Sequence, residues 1–468
     1  MYKLSGKLKL FSIIMMVIGA IGLVYGFMST PDSTSEVKEI LAEQNGDHGG
    51  ERSEPSAEGH EKKSAHSEEA VPMQDNAEPQ SGNYSKMESI HGTDEHAKEV
   101  HGQSHLEHAF HQMKAKPWAA LYVSAFFFFM ISLGALVFYA AQYASKSGWS
   151  PVLYRIMEGI TSYLLPGSII VGLIVIFAGE NFFPWQNHEL VEEDKLLQLK
   201  SSYLNFPFFV IRAVIYIAGW NIYRFLAKKY TNQQAEHPTD LSIYRKHYKA
   251  SVIFIIFFLV TEATMGIDWF MSMNPHWYST LFPWYIFATF FVSAITVIAM
   301  VTMYLKKIGL VPFINDSHLH DLAKYMFAFS IFWTYLWFSQ FMLIWYANIP
   351  EEAAYFTMRI ENYNFLFFGM LVLNFVFPIL VLMNSDFKRV PWFVFASGFM
   401  ILVGHYIDVY LLVYPSTVGT HWSFGIPEIG GLLFFAGLFI LTVGNGLSKT
   451  PLLPKGNPFL KESENYHY

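Results

Sequence analysis

The sequence predicts an all-α, polytopic membrane protein of about ten transmembrane helices, and three observations carry that prediction. Ten stretches stay apolar over the roughly 20 residues needed to cross a hydrocarbon core. Of 468 residues, 53% are hydrophobic and 18% aromatic, whereas only 15% are charged, against about 25% in soluble chains. The basic residues of the short loops cluster in every second one, as the positive-inside rule requires of a multi-pass chain.

The first stretch, 8–29, follows Lys3, Lys7 and Lys9. Its apolar run is long and no small-x-small cleavage site follows, so an uncleaved anchor is expected rather than a signal peptide. Residues 30–115 form a polar insert rich in Glu, Ser, Gly and His, expected to be largely disordered. Nine histidines lie in it: His48, His60, His66, His91, His96, His101, His105, His108 and His111. A helix at its end would set His101, His105 and His108 on one face at metal-ligand spacing. With no cysteine and no fixed carboxylate beside them, a solvated tether is the plainer reading. A nine-helix membrane domain over 116–448 follows, with spans at 117–144, 155–180, 206–227, 250–272, 281–305, 321–347, 363–385, 391–413 and 425–447, then a tail over 449–468. Two connections are longer, 181–205 and 228–249. Pro166 and Pro378 should kink the third and eighth spans. Trp118, Trp149, Trp185, Trp277, Trp284, Trp345, Trp392 and Trp422 crowd the span ends, where an interfacial aromatic belt belongs.

Lys146, Arg155, Arg224, Lys228, Lys229, Arg245, Lys246, Lys249, Lys306, Lys307, Lys388, Arg389 and Lys449 mark one side. The alternate short loops hold Lys195, Lys200 and Arg359 amid Glu180, Glu189, Glu192, Glu193, Asp194, Glu351, Glu352 and Glu361. Both termini are therefore expected in the cytoplasm and residues 30–115 on the outer, periplasmic side of a bacterial inner membrane. The net charge of −7 sits in the loops and does not point to nucleic acid.

With no cysteine there is no thiolate for an iron–sulfur cluster and no C-x-x-C-H for covalent haem. His405 is the one histidine deep in a span, so paired axial ligation of a b-type haem is not expected, nor is the six-histidine core of a haem–copper oxidase. No His-Glu-x-x-His pair suggests a zinc protease. Any redox chemistry served by this chain would be carried by partners.

Ionisable residues in a bilayer are expensive and are functional candidates by default. Glu262 lies near mid-membrane, Asp268 follows toward the outer side, and His405 and Asp408 are one turn apart in the outer half of the ninth span. Glu158, His320, Asp321 and Lys324 lie toward the cytoplasmic ends. Together they form an inner cluster and an outer one (Asp268, His405, Asp408, with His276 nearby), bridged by Glu262: the inventory of two proton half-channels, or of a proton path serving a quinone. A secondary quinone site would draw on His276, His405, Asp408 and Arg212. The plainer alternative is a set of neutralised pairs, such as Arg212 with Asp268, that fix helix packing. Asn374 and Gln340 read as helix–helix hydrogen-bonding residues, and Glu428, after Pro427, as a helix cap.

Several longer motifs stand out: R-I-M-E-G-I-T at 155–161, L-L-P-G-S-I-I at 164–170, D-W-F-M-S-M-N-P-H-W-Y-S-T at 268–280, H-D-L-A-K at 320–324, F-W-T-Y-L-W-F-S-Q-F-M-L-I-W-Y-A-N-I-P-E-E at 332–352 and P-L-L-P-K-G-N-P-F at 451–459. Through them nearly the whole chain resembles the membrane F subunits of bacterial alternative complex III, which are polysulfide-reductase-type (NrfD-like) integral membrane subunits. The resemblance implies two four-helix bundles (spans 2–5 and 6–9) with a peripheral helix at each end. It implies a complex that oxidises menaquinol near the outer face. Electrons would pass through an NrfD-like sister membrane subunit to iron–sulfur and multihaem c-type cytochrome subunits, and on to cytochrome c or a terminal oxidase. The subunit itself would hold no redox centre, with menaquinone and lipid as its small-molecule contacts. The quinol-oxidising sister is expected to carry a His after span 3 and an Asp early in span 4. Here those stretches read I-F-A-G-E-N-F-F-P-W and P-F-F-V-I-R, with Glu180 and Arg212. A guanidinium is no proton acceptor, so proton conduction or scaffolding is expected of this subunit rather than quinol oxidation. The alternatives are a proton-coupled secondary transporter, against which no inverted repeat is visible, and a purely structural anchor.

Overall fold

The structure is a computed structural model that describes the backbone of residues 2–47 and 94–467 and the side chains of 2–43 and 106–467. It is all-α, with no strand among the described residues. Ten helices or helix runs, 19 to 39 residues long, are apolar enough to cross a membrane, as expected. Met1–Thr30 with Gln112–Tyr468 form one compact unit and Pro31–His111 another.

Helix α1 (Gly6–Met28) starts where the Ser5 hydroxyl accepts from the Leu8 amide. Helix α2 (Thr34–Asp47) and the first part of α3 (Asp94–Ala144) occupy the two ends of the polar insert. The disorder expected over most of 30–115 is corrected at Thr34–Asp47, which is helical, and otherwise falls on residues 48–93, outside the described residues.

The third span is broken. Helices α4 (Tyr154–Ile160) and α5 (Leu164–Phe177) are separated by a 3-10 turn at Thr161–Tyr163. Pro166 cannot donate to residue 162 and its ring crowds that carbonyl, so the ladder breaks just ahead of the proline. The connection 181–205 carries two short helices, α6 (His188–Glu193) and α7 (Lys195–Lys200).

Helices α8 (Phe206–Glu236) and α9 (Leu241–Trp269) overrun their apolar stretches, which corrects the long inner loop expected over 228–249. Nothing between Lys228 and Glu236 breaks a helix, and the turn itself is only residues 237–240, holding Pro238 and closed by Asp240 accepting from the Ser242 amide at 2.8 Å. Helix α10 (Phe282–Lys307) ends on Lys306 and Lys307, favourable beside the carbonyl end of a helix. Helix α11 (Asp316–Ala347) is capped by Asn315 and ends at Asn348 in the left-handed region, φ 49°. The amphipathic α12 (Pro350–Asn362) fills what read as an outer loop.

In the eighth span, α13 (Asn364–Leu371) and α14 (Phe377–Leu382) flank a π-turn at Val372–Val376. The Phe377 amide reaches five residues back to the Val372 carbonyl, and Pro378, with no amide to donate, follows directly. Helices α15 (Pro391–Thr417), α16 (Ile426–Ser448) and the short α17 (Leu460–Glu464) complete the chain. Glu428 is the expected cap: its Oε2 accepts from the Gly425 amide at 2.8 Å, while Tyr414 donates to Oε1 at 2.8 Å.

Contacts group α5 with α8 and α9, and α10 with α11, α13–α14 and α15, as the two-bundle expectation has them, while α3 runs between the groups, bonding Trp269 of α9 and Ile160 of α4 on one side and Tyr406 of α15 on the other. The seam is aromatic, with Phe138 of α3 against Phe291 of α10 and Phe258 of α9 against Phe290. The peripheral helices α1 and α16 do not stand apart at two ends; they pack on each other, with Gly22 and Gly430 in backbone contact, a Cβ on Gly22 meeting Gly430 Cα at 3.0 Å. The tail closes one end. Ser463 Oγ donates to the Trp149 carbonyl at 2.6 Å, His318 Nε2 meets the Ser463 carbonyl at 3.0 Å, and Asn315 donates to the Tyr466 carbonyl at 2.5 Å. Three segments from the basic side of the sequence thus meet at the same end.

Candidate functional site

His405 and Asp408 are fully buried one turn apart on α15, and the fold builds a polar centre around them. Thr289 of α10 donates to Asp408 Oδ2 at 2.8 Å, the Trp333 indole of α11 to the same oxygen at 3.0 Å, and Tyr285 of α10 donates to Oδ1. Four donors from three helices thus converge on one carboxylate when His405 Nδ1, 3.4 Å from Oδ2, is counted. That Nδ1 also lies 3.4 Å from Asn374 Nδ2 in the π-turn. Carrying a proton it donates to Asp408; without one it accepts from Asn374. It cannot do both, so the ring is a two-position element. Its other nitrogen, Nε2, is buried with no hydrogen-bond partner, as is Asn374 Oδ1. Trp333 holds the imidazole edge-on, centroids 5.3 Å apart. A Cβ on Gly404 would overlap Asn374 Oδ1, so glycine there lets the π-turn approach.

Beside Asp408 lies a cavity with room for about one water, also lined by Tyr285, Gln340, Tyr355 and Arg359. Arg359 was legible only as an outer-loop cation. The structure buries it: Nη1 donates to the Tyr355 carbonyl at 2.8 Å, Nη2 to the Leu411 carbonyl at 3.0 Å, and the guanidinium lies 3.4 Å from the Tyr355 ring centroid. The available signal was the spacing of Tyr355, Phe356 and Arg359 on one face of α12. Tyr285, Thr289 and Trp333 gave none, since they reach Asp408 from other helices.

Asp268 is not part of this centre. Arg212 chelates it, Nε to Oδ2 at 2.7 Å and Nη2 to Oδ1 at 2.9 Å, with Tyr216 donating to Oδ2 at 2.9 Å. Arg212 also donates to the Tyr203 carbonyl at 3.1 Å and stacks on the Tyr203 ring at 3.9 Å. This is the neutralised packing pair foreseen as the alternative. His276 does not join the outer cluster either. It is mostly exposed beyond α9, with Nε2 2.7 Å from Asp194 Oδ2. Although burial works against the charge of Asp194, the amides of Leu196 and Leu197 and the nearby His276 hold its carboxyl below the ordinary range.

Glu262 is buried on α9 with Oε1 unpartnered. Phe258 and Gly266, one turn either side, both pack on α10, so Glu262 faces that helix. The inner candidates form two groups. Glu158 takes Arg155 Nη1 at 2.8 Å and Tyr139 at 3.1 Å. Asp321 takes Lys324 at 2.8 Å and the Tyr466 hydroxyl at 2.7 Å, with His320 Nδ1 at 3.8 Å and His320 Nε2 3.3 Å from Ser385 Oγ. Among the described residues no group of His, Cys, Asp and Glu is arranged to hold a metal ion. His101, His105 and His108 lie on α3, but the side chains of His101 and His105 are outside those described. Compared with models of protein families and with characterised proteins, the chain matches none.

Proposed function

We propose that the chain is a membrane subunit, without a redox centre of its own, of a quinol-oxidising respiratory complex. In that complex it scaffolds the quinol-oxidising sister subunit and relays protons through the His405–Asp408 centre. The observation that carries the relay is Asp408: a fully buried carboxylate held by neutral donors, touching a histidine whose Nδ1 faces an acceptor on one side and a donor on the other. A proton arriving at Asp408 passes to Nδ1, which then donates to the carboxylate; when that proton returns to Asp408 and moves on, Nδ1 again accepts from Asn374, so the pair takes up and gives back one proton at the buried centre. Asp268 does not compete for this role, because both its oxygens are bound to Arg212. The motif resemblance supports the partners: iron–sulfur and multihaem c-type subunits, menaquinol as the electron source, and cytochrome c or a terminal oxidase as the sink. The test is Asp408→Asn in the intact complex, reconstituted in vesicles and driven by a menaquinol analogue. Proton release coupled to turnover falls at least about tenfold with every subunit retained, in the range that loss of a positioned proton-transfer group costs. Unchanged proton-linked turnover rejects the relay.

A further inference from the structure

At the end of the helices opposite the tail, a cavity of about 570 Å³ opens between the start of α8, the end of α9 and the start of α10. Its size is that of a small-molecule pocket, and its lining is mostly apolar. Trp277 is a fixed wall: it is buried and stacks on Tyr355 with ring centroids 4.0 Å apart. Ala263 and Ile267 of α9 form a second wall, and Tyr278 and Trp284, both exposed, stand at the mouth. Lys200 is the only charged residue in the lining. Its ammonium donates to the Pro275 carbonyl at 2.5 Å, and among the described residues no carboxylate is within ion-pair distance of it. Asp194, whose charge reaches Lys200, is held instead by the Leu196 and Leu197 amides and by His276. Two of the three ammonium hydrogens are thus open to an acceptor. The Tyr278, Ser279 and Thr280 hydroxyls that line the same cavity bond no other described residue. Donors with no carboxylate among them call for an anionic head on the ligand. The face of α9 indicates what lies below that head. Ile267 and Ala263 continue at helical spacing into Val260 and Ile256, which are 64% and 62% exposed. From Trp269, where α9 ends, back to Val260 is about 14 Å of helix. That is close to one leaflet of a roughly 30 Å hydrocarbon core. A cation at the membrane boundary above a leaflet-long apolar face matches a phosphate with acyl chains beneath it.

We propose that this cavity binds an anionic phospholipid of the adjacent leaflet, with its phosphate on Lys200 Nζ and its acyl chains along Ile267, Ala263 and Val260. The amphipathic rings of Tyr278 and Trp284 flank the glycerol region, at the level where such rings sit in a membrane. Neither Lys200 nor the α9 face belongs to the relay at His405 and Asp408, so the proposal stands whether or not that relay does.

The experiment uses the full chain in mild detergent with whatever subunits it retains, stripped of lipid and titrated with phosphatidylglycerol or phosphatidylcholine. Oleate and a short-chain naphthoquinone serve as competitors. Lipid retention is read by native mass spectrometry and ligand stabilisation by thermal unfolding. Phosphatidylglycerol is retained and raises the unfolding temperature, and neither competitor displaces it. Lys200→Gln, whose amide can still donate to Pro275, weakens phosphatidylglycerol binding roughly fivefold and leaves phosphatidylcholine binding unchanged. Ala263→Phe, which fills the deep end of the cavity, abolishes retention of both lipids. Should that variant fold poorly, Lys200→Gln, at a partly exposed position, decides alone. Unchanged phosphatidylglycerol binding in Lys200→Gln overturns the proposal, as does full retention in a folded Ala263→Phe, which would put the lipid elsewhere. Displacement by oleate overturns it in favour of a free fatty acid, and displacement by the naphthoquinone in favour of a quinone.

Discussion

Two buried aspartates, Asp268 and Asp408, look alike in sequence and differ in what holds them. Asp268 is neutralised by a guanidinium, and removing one partner of such a buried pair leaves an uncompensated charge, at a cost of about 3–5 kcal/mol. Arg212→Ala should therefore unfold or fail to insert, seen as loss of the monodisperse species in detergent, while Arg212→Lys retains part of the stability. Asp408 is held by hydroxyls and an indole, and the Tyr285 and Thr289 hydroxyls can turn to meet an amide. Asp408→Asn should thus leave thermal unfolding almost unchanged while proton-linked turnover falls. In the 181–205 connection, the lowered carboxyl of Asp194 contributes stability that is full above the ordinary carboxylate pKa of about 3.9. That contribution is lost as pH falls through the lowered value, because the unfolded chain takes up the proton first. Limited proteolysis should find the 181–205 segment opening below about pH 4 in the wild type, and at higher pH in Asp194→Ala.

Between helices, two close approaches carry the arrangement. The π-turn at Val372–Val376 brings Asn374 to His405 only because residue 404 has no Cβ, so Gly404→Val should displace Asn374 and impair proton-linked turnover more than assembly. The pairing of α1 with α16 rests on Gly22 against Gly430. Gly22→Leu overfills that contact, at about 1–3 kcal/mol, and should expose α1 to protease in the detergent-solubilised protein. The sequence allowed a kink at Pro378 to be foreseen but not its form, since a π-turn depends on what the neighbouring helix accepts. Hydropathy likewise marks only where a helix is apolar. It could not show that α8 and α9 continue helical beyond the membrane, where Lys228 to Glu236 are polar but unbroken.

Across the molecule, the ten spans and the placing of the basic loops and the tail at one end follow from apolar length and charge alternation, which are additive along a chain and therefore readable from it; the hydrogen bonds that join the tail to those loops were not. The i, i+3 pair His405–Asp408 was legible for the same reason, lying on a single helix. What converges from different helices was not: the Tyr285–Thr289–Trp333 cradle, the burial of Arg359 beneath α12, and the separation of His276 and Asp268 from the centre. The chain presents exposed apolar residues on α8, α9, α11 and α13–α15, ample surface for lipid or for another membrane chain. The decisive measurement is a mild-detergent purification through a tag on this chain, with a pyridine-haemochrome spectrum of the eluate and denaturing separation of its subunits. A membrane subunit of a quinol-oxidising complex brings c-type haem with it, on other polypeptides and not on this one. A colourless eluate of this chain alone, from membranes whose haem-bearing complexes survive the same detergent, contradicts that role.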